Sequence, residues 1–417
     1  MLYTMYAVGS LGDVSPYIAL GKELKKRGNE VRIAAFEPFS AFVSKSGLLF
    51  HALPGSVDAL MKSAMRPHAN PLMYLRHATS YLAAHTDEFM LSAQKAAEDA
   101  DVIICTFFGG VFYSIAEAKG IPLIQTQYYP MDQTSQLRVT VAPKIPLNNR
   151  VYNYITYNIA YGMIRHIEKK YLGEYYRKSG LHMRRRKMHP DYMLAGKPVP
   201  VLYAVSPTLL PRPASWRENI HITGFWHDSD DIDFIPPPAL EDYLSAGEPP
   251  IYIGFGSMVS DDMRNVLETF VTAVGRLGIR AVFSKELAKC GIDTPPDCSC
   301  LTDFVPHSWL FKRVKAVVHH GGAGTLSAGL LAGKPTLVIP FGGDQPFWGE
   351  RIYAMGLGPK PLYRTKLSAS RVQARLDSLI NSDEFSMNAK KAAEKLAKEN
   401  GVTVAADIIE SSVGAEA

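Results

Sequence analysis

Short apolar runs alternate with stretches of helical period through both halves of the chain. Leu2–Val8 reads as a strand, Gly9-Ser10-Leu11-Gly12-Asp13 as a polar glycine-rich turn, and Pro16–Arg27 as an amphipathic helix. Ser15 is the expected N-cap, Pro16 suits the first helical turn, and Gly28 suits the left-handed stop. Val31–Ala35, Val102–Cys105 and Pro122–Gln125 follow as strands, with a helix over Val111–Lys119 between the last two. Such alternation predicts a parallel sheet covered on both faces, its functional crevice at the carboxyl ends of the strands, where the Gly9–Asp13 turn falls.

The alternation restarts at Ile251–Phe255, continues through a helix over Arg264–Leu277 and a strand over Arg280–Phe283, and ends with strands Ala316–His319 and Thr336–Ile339 around a Thr325–Ala332 helix. Ser370–Asp383 and Glu384–Ser411 read as closing helices, the second rich in Ala and Lys. Two tandem α/β domains follow from this pattern: residues 1–227, a linker over 228–250, and residues 251–383. The last segment, 384–417, is a helix expected to pack back on the first domain. The linker expectation rests on Asp228, Asp230, Asp231 and Asp233 beside Pro236, Pro237, Pro238, Pro249 and Pro250, which favour extended chain.

Between Leu147 and Lys187 the pattern changes to aromatics and bases, among them Tyr154, Tyr157, Tyr161, Arg165, Lys169 and Lys170. Helical excursions are expected there. Two readings stay open: a face of tyrosines and cations resting on a membrane interface, and an ordinary helix packed through its tyrosines with a solvated charged side.

Composition changes this picture little. With 417 residues, 47% of them hydrophobic and 20% charged, the chain is globular, and two domains suit its length. A net charge of +5 permits contact with phosphates or anionic lipid but demands neither, and no nucleic acid partner is expected. Cys105, Cys290, Cys298 and Cys300 lack paired metal spacing, so ordinary thiols in a reducing compartment and no structural zinc are expected. The first residues carry neither a basic n-region nor a long apolar core, and no apolar run reaches the ~20 residues of a membrane span. A cytoplasmic protein is therefore expected, a monomer or weak dimer, with peripheral membrane contact left open.

The chemistry-bearing stretch begins at His320-Gly321-Gly322-Ala323-Gly324-Thr325, which follows an apolar strand and opens a helix. Small residues let backbone approach a ligand, and the unpaired N–H groups at a helix start stabilise phosphate charge, so this is a candidate diphosphate cradle. Thr325 adds a hydroxyl and His320 an imidazole, with no metal required. A tight structural turn would look the same in isolation. Its neighbours alter the balance. Asp344 and Gln345, after the next strand, offer lone pairs and donors suited to sugar hydroxyls, and Phe304-Val305-Pro306-His307-Ser308-Trp309 offers an aromatic and backbone polar groups for a base.

These motifs resemble the donor-binding region of family 1 glycosyltransferases. The sterol 3-beta-glucosyltransferases are matched through His319–Thr325, Ala332–Thr336, Gly343–Gly349 and Gly358–Pro361, and glycopeptide-antibiotic glycosyltransferases more distantly. Val8–Leu53 and Gly254–Met258 share the likeness, which fades over 56–198, the acceptor side. The resemblance implies the GT-B fold: two facing Rossmann-like domains with parallel sheets and an interdomain cleft, the C-terminal one holding the donor. It implies diphosphate contacts from His320, Gly322, Gly324, Thr325 and Ser257, and sugar contacts from Asp344 and Gln345. Phe304, Val305 and Trp309 would surround uracil, and Ser10 and Gly12 would touch the donor from their own loop.

Asp13 matches the aspartate of the family's Gly-Ser-Arg-Gly-Asp motif and is implied as the general base of an inverting transfer. Its plain alternative is a helix-capping aspartate. Leu11 replaces the motif's Arg. His51, His68, His77, His85 and His166 are scattered and read as structural or surface residues. The resemblance thus implies glucose transfer from UDP-glucose, as co-substrate, to a hydroxyl of a sterol-like acceptor, with no permanently bound cofactor. Natural-product tailoring with a UDP- or TDP-sugar is the alternative, and a sugar-nucleotide isomerase and a noncatalytic ligand-binding module are rivals of other classes.

Overall fold

A computed structural model of the chain describes residues 1–56, 85–106, 110–142, 149–181, 192–227, 234–256, 262–301 and 305–414. Ser257, Phe304, His68, His77 and the four linker aspartates lie outside the described residues. The chain divides into two compact units. One holds the described residues up to 227 and takes back Glu399–Ala417; Ser229–Lys398 belongs to the other.

The first unit is built on seven parallel strands: β1 (Leu2–Ala7), β2 (Glu30–Phe36), β3 (Leu49–Leu53), β4 (Val102–Cys105), β5 (Leu123–Gln127), β8 (Val201–Tyr203) and β9 (Ile220–Ile222), in the order β3-β2-β1-β4-β5-β8-β9. A two-residue antiparallel hairpin, β6 (Met193–Leu194) with β7 (Lys197–Pro198), stands apart. Tyr3, Met5, Ile33, Ile104 and Ile124 are buried in this sheet, as strands covered on both faces require. The order reverses between β1 and β4, and the turn after β1 opens beside that reversal.

The helix after β1 runs Leu11–Lys26, one turn earlier than the sequence predicts, and Ser10 rather than Ser15 is its N-cap. Pro16 therefore lies inside the helix, where it has no N–H to offer the Gly12 carbonyl. The cost is outweighed by the cap: Ser10 and Asp13 satisfy each other's end of the helix, as a Ser-x-x-acid spacing allows.

The closing segment also differs from expectation. Asp383–Leu396 and Gly401–Gly414 are separate helices, and only the second belongs to the first unit. The reason for the break is steric. A Cβ on Gly401 would stand 2.4 Å from the Phe225 carbonyl oxygen, so only glycine lets the last helix start against the Gly224 backbone. That helix buries Ala405, Ala406, Ile409 and Val413 in the core beside Val14 and Tyr17, and Arg27 ties it down through Asp407 (2.7 Å) and Glu410 (3.0 Å).

The second unit carries five parallel strands: β10 (Ile251–Gly254), β11 (Ala281–Phe283), β12 (Ser299–Cys300), β13 (Ala316–His319) and β14 (Thr336–Val338), ordered β12-β11-β10-β13-β14. Here the reversal lies between β10 and β13. The stretch expected as extended linker contains a helix, Pro238–Ser245, whose Leu240 is buried and whose Tyr243 and Leu244 pack on the unit's core. Prolines did not prevent it: Pro236 and Pro237 precede the helix, Pro238 opens it where an amide hydrogen has no intrahelical partner, and Pro249 and Pro250 lie beyond its end.

Candidate functional site

The two reversal points carry the two glycine-rich turns, and each is held by a different device. After β13, Gly321 takes a left-handed φ of 99°, and a Cβ there would lie 2.8 Å from Val338 and 3.2 Å from the Gln345 carbonyl oxygen. This glycine brings the His320–Thr325 loop and the Phe341–Gln345 loop into backbone contact. The expected diphosphate and sugar loops are thus adjacent, one strand apart on the same sheet.

His319 is buried, and its Nδ1 accepts a hydrogen bond from the Gly321 N–H at 3.0 Å, which fixes the turn. Gly322 is the N-cap of the Ala323–Leu331 helix, and no side chain caps it. The first N–H groups of that helix therefore point outward as donors, with the helix dipole behind them. Gly324 is exposed, and Thr325, in the first turn, is half-buried. His320 stands over the loop: Gly256, at the end of β10, lies close enough that a Cβ on it would be 3.2 Å from His320 Cε1.

Burial, together with nearby His307, pushes the His320 pKa down to about 4. His307, pushed down to about 4 by burial, stacks on Phe311, and burial holds His319 well below the usual imidazole range. At neutral pH the three imidazoles are uncharged. His320 Nδ1 is buried with no hydrogen-bond partner among the described residues. The ring atom nearest the helix start is Nε2, 2.4 Å from where a Cβ on Gly322 would stand, and an imidazole nitrogen beside open helix N–H groups suits an anionic group.

The neighbouring loop is braced from within. Gln345 is buried at 6% exposure, and its Oε1 accepts from the Phe341 N–H (2.7 Å) and the Gly342 N–H (3.2 Å). Asp344 precedes the Gln345–Ala354 helix, and its Oδ2 accepts from Trp348 Nε1 at 2.7 Å. Arg364, which the sequence did not flag, lies over the Phe341 ring and pairs with Asp262 at 3.0 Å. Val305 is buried in the second core cluster, and Trp309 packs against it. One face of the Trp309 ring is covered by the Arg313 guanidinium, 4.0 Å from its centroid, and Phe234 meets it edge-on. For a base, Trp309 has a single face to offer.

After β1 the turn is closed by its own side chains. Asp13 Oδ2 accepts from the Ser10 N–H at 2.7 Å and from Ser10 Oγ at 3.1 Å, while Ser10 Oγ accepts from the Gly12 N–H at 3.3 Å. A Cβ on Gly9 would fall 2.2 Å from that same Oδ2, so glycine is needed to seat the carboxylate. Tyr128, at the end of β5, donates to the Asp13 backbone carbonyl at 3.2 Å, and Tyr17 bonds Thr126 at 2.6 Å beneath it. The capping role is therefore real. It leaves Oδ1 with no donor among the described residues. Desolvation raises the Asp13 pKa and the two Ser10 hydrogen bonds oppose that rise. Leu11 is the first helical residue, and the box forms with no charged group at that position.

Of the scattered histidines, His51, on β3 in the first unit, bonds Ser92 at 3.0 Å. The four cysteines are free thiols. Tyr128 and Arg364 were invisible in sequence because each acts through a residue far along the chain. The Ser10-x-x-Asp13 spacing was the one available signal for the true helix start.

Two sheets of parallel strands, each with a glycine-rich turn at its reversal, define the GT-B class. The solved structures agree on the fold: the glycotransferase of kitacinnamycin superposes with a TM-score of 0.71 at 19% identity, covering 98% of both chains. VinC in complex with DTDP gives 0.68 at 18% identity, over 98% of this chain and 99% of that one. Residues 3–136 match the glycosyltransferase family 28 N-terminal domain, and residues 269–411 match the C-terminal domain described as erythromycin biosynthesis protein CIII-like.

More particularly, the chain is similar to the sterol 3-beta-glucosyltransferases. It is 32% identical to one from Arabidopsis thaliana over 96% of this chain and 64% of that protein. It is also 32% identical to one from Emericella nidulans over 97% of this chain and 29% of that protein. The chain thus spans less than two thirds of the plant relative and under a third of the fungal one.

Proposed function

We propose that this chain transfers glucose from UDP-glucose, with inversion, to a hydroxyl of a hydrophobic acceptor, a sterol or similar polycyclic lipid. One observation carries the reading: the uncapped helix start beneath His320 lies in backbone contact with the Asp344–Gln345 loop, which suits a diphosphate joined to a sugar. The relatives' printed activity supplies the glucose and the sterol.

In this reading the N–H groups of the Ala323–Leu331 helix, with Gly322, Gly324 and the Thr325 hydroxyl, take the diphosphate, and Ser257 approaches it from the β10 loop. Neutral His320 donates a hydrogen bond without adding charge. Asp344 and Gln345 take the sugar hydroxyls, and Phe304, Val305 and Trp309 the uracil. Ser10 and Gly12 complete the donor contacts. Asp13 Oδ1 removes the proton of the acceptor hydroxyl as its oxygen attacks the anomeric carbon; the bond to UDP breaks, and the leaving charge falls on the diphosphate, where fixed dipoles stabilise it. Its raised pKa makes this carboxylate a stronger base than an exposed aspartate. No step requires a metal, so chelation should leave turnover unchanged.

The test is UDP release from UDP-glucose over a panel of sterols and polyketide aglycones, with the product's anomeric configuration read by NMR. A beta-glucoside of a sterol supports the reading. Preference for TDP over UDP in calorimetry, with turnover only on aglycones, would instead support natural-product tailoring, which the erythromycin-type C-terminal match favours. Conversion of the donor with no acceptor present points to an isomerase, and binding without release to a noncatalytic module.

A further inference from the structure

Arg364 opens the short Arg364–Lys366 turn, two residues past the point where the Leu362 N–H bonds the Val338 carbonyl at the end of β14 (3.2 Å). Its side chain is only 7% exposed. Taking a guanidinium out of water costs free energy that an ion pair seldom returns, so stability alone is a weak reason to keep one there. What it touches gives a better reason, because its two partners belong to separate loops of the second unit.

The first partner is Asp262, the N-cap residue of the Met263–Leu277 helix. An aspartate at that position ordinarily accepts from an N–H of its own first turn. Asp262 makes no such bond; its Oδ1 accepts instead from Arg364 Nη1 at 3.0 Å, across 102 residues of chain. A local cap is given up for a distant contact, and local rules are broken in this way chiefly at functional sites.

The second partner is the Phe341 ring, with the guanidinium 5.1 Å from its centroid, close enough for attraction to an aromatic face. Fully buried Phe255, just past β10, packs on the same ring with centroids 5.5 Å apart. Phe341 leads straight into Gly342 and Gly343, the latter at a left-handed φ of 61°, and these carry the chain to Asp344. Two glycines in succession hold no conformation by themselves. Gln345 braces the loop from within, through the Phe341 and Gly342 N–H groups, and Arg364 braces it from outside, through the ring.

We propose that Arg364 is a positioning residue for the sugar end of the donor. With Asp262 and Phe255 it fixes the Phe341 ring, the ring fixes where the two glycines begin, and these set Asp344 where the hexose hydroxyls are held. The proposal rests on the assignment of Asp344 and Gln345 to the sugar. The His320–Thr325 cradle makes no hydrogen bond with Arg364, Asp262 or Phe341 among the described residues, so loss of Arg364 reaches the sugar and spares the diphosphate.

The experiment is calorimetry of the full chain with UDP and with UDP-glucose, with melting temperature as the check on folding. Arg364→Ala should bind UDP within about twofold of the parent chain and UDP-glucose about tenfold more weakly, the size of one charge-assisted hydrogen bond to a sugar hydroxyl. Arg364→Lys should fall between them, because an ammonium keeps the pair with Asp262 but not the flat face on Phe341. Asp262→Asn should show the same selective loss on a smaller scale, and adding it to Arg364→Ala should cost no more, since both remove one pair. Equal loss of UDP and UDP-glucose, or UDP-glucose binding unchanged in Arg364→Ala, would overturn the proposal. If Arg364→Ala does not fold, Asp262→Asn decides by the same split. Asp344→Ala separates this proposal from the reading beneath it. Should that variant bind UDP-glucose like the parent, the sugar assignment fails; should it lose the sugar while Arg364→Ala keeps it, only the role of Arg364 fails.

Discussion

The turn after β1 and the turn after β13 occupy equivalent stations, each a glycine-rich passage from a parallel strand into a helix beside a sheet reversal. They end in opposite electrostatic states. At Ser10–Asp13 the helix start is filled by the chain's own carboxylate and hydroxyl. At Gly322–Thr325 the helix starts with no side-chain cap, beside the His320 imidazole. A helix start that carries its own anion has little use for another, and one that carries none attracts it. In the proposed function, the same local motif serves as a holder of a base in one unit and as an anion cradle in the other.

Four substitutions or titrations test that contrast. Asp13→Asn should cut turnover by about three orders of magnitude, within the range for losing a general base. UDP affinity by calorimetry should hold, because asparagine keeps an acceptor for the Ser10 N–H; unchanged turnover removes Asp13 from the role. Next in size, Gly321→Ala should weaken UDP binding and destabilise the fold by ~2 kcal/mol, since alanine would take a left-handed φ and press Val338 and Gln345. Normal UDP binding by that variant would separate the cradle from the donor.

Ser10→Ala should cost ~1 kcal/mol of stability as a lost cap. It also removes one of the two hydrogen bonds that lower the Asp13 pKa, so the acid limb of kcat/KM should move to higher pH. A limb that stays in place would mean another group sets it.

The smallest effects are in pH-dependent stability, where His320 and Asp132 act in opposite directions. His320, pushed from 6.5 to about 4, binds its proton less readily folded than unfolded, so its contribution is full above pH 6.5 and falls as pH drops toward 4. Asp132 is buried, accepts from the Tyr203 hydroxyl at 2.6 Å, and is pushed from 3.8 up to about 6. Its folded form holds the proton more tightly, so stability is lost as pH rises from 3.8 to 6. Thermal melts of His320→Asn and Asp132→Asn should each flatten the melting temperature in the corresponding window; parallel curves with the parent chain would contradict both assignments.

The alternation of strand and helix was legible because burial on both sheet faces demands continuous apolar runs, and β4 and β13 stand where those runs stood. The His320–Thr325 and Asp344–Gln345 loops were legible too, since glycine, proline and acid–amide pairs punctuate a chain locally. The start of the first helix was misplaced because proline argued for position 16, while the winning interaction was a reciprocal bond between Ser10 and Asp13. The split at Gly401 depended on a backbone 176 residues upstream, at Phe225.

By itself, then, the sequence determined what repeats at short range: the two parallel sheets, the positions of their glycine turns, and the residue types gathered in each. Only the tertiary structure decided how each turn is held, because the Gly321–Gln345 contact, the approach of Gly256 to His320 and the Tyr128–Asp13 bond are set by the packing of segments that no local pattern joins. It also decided the fate of the tyrosine-rich stretch. Hydrophobicity along the chain could not say that Tyr157 and Tyr161 face the core while Ile155 and Ile159 face outward, since that choice belongs to the surface against which the helix settles.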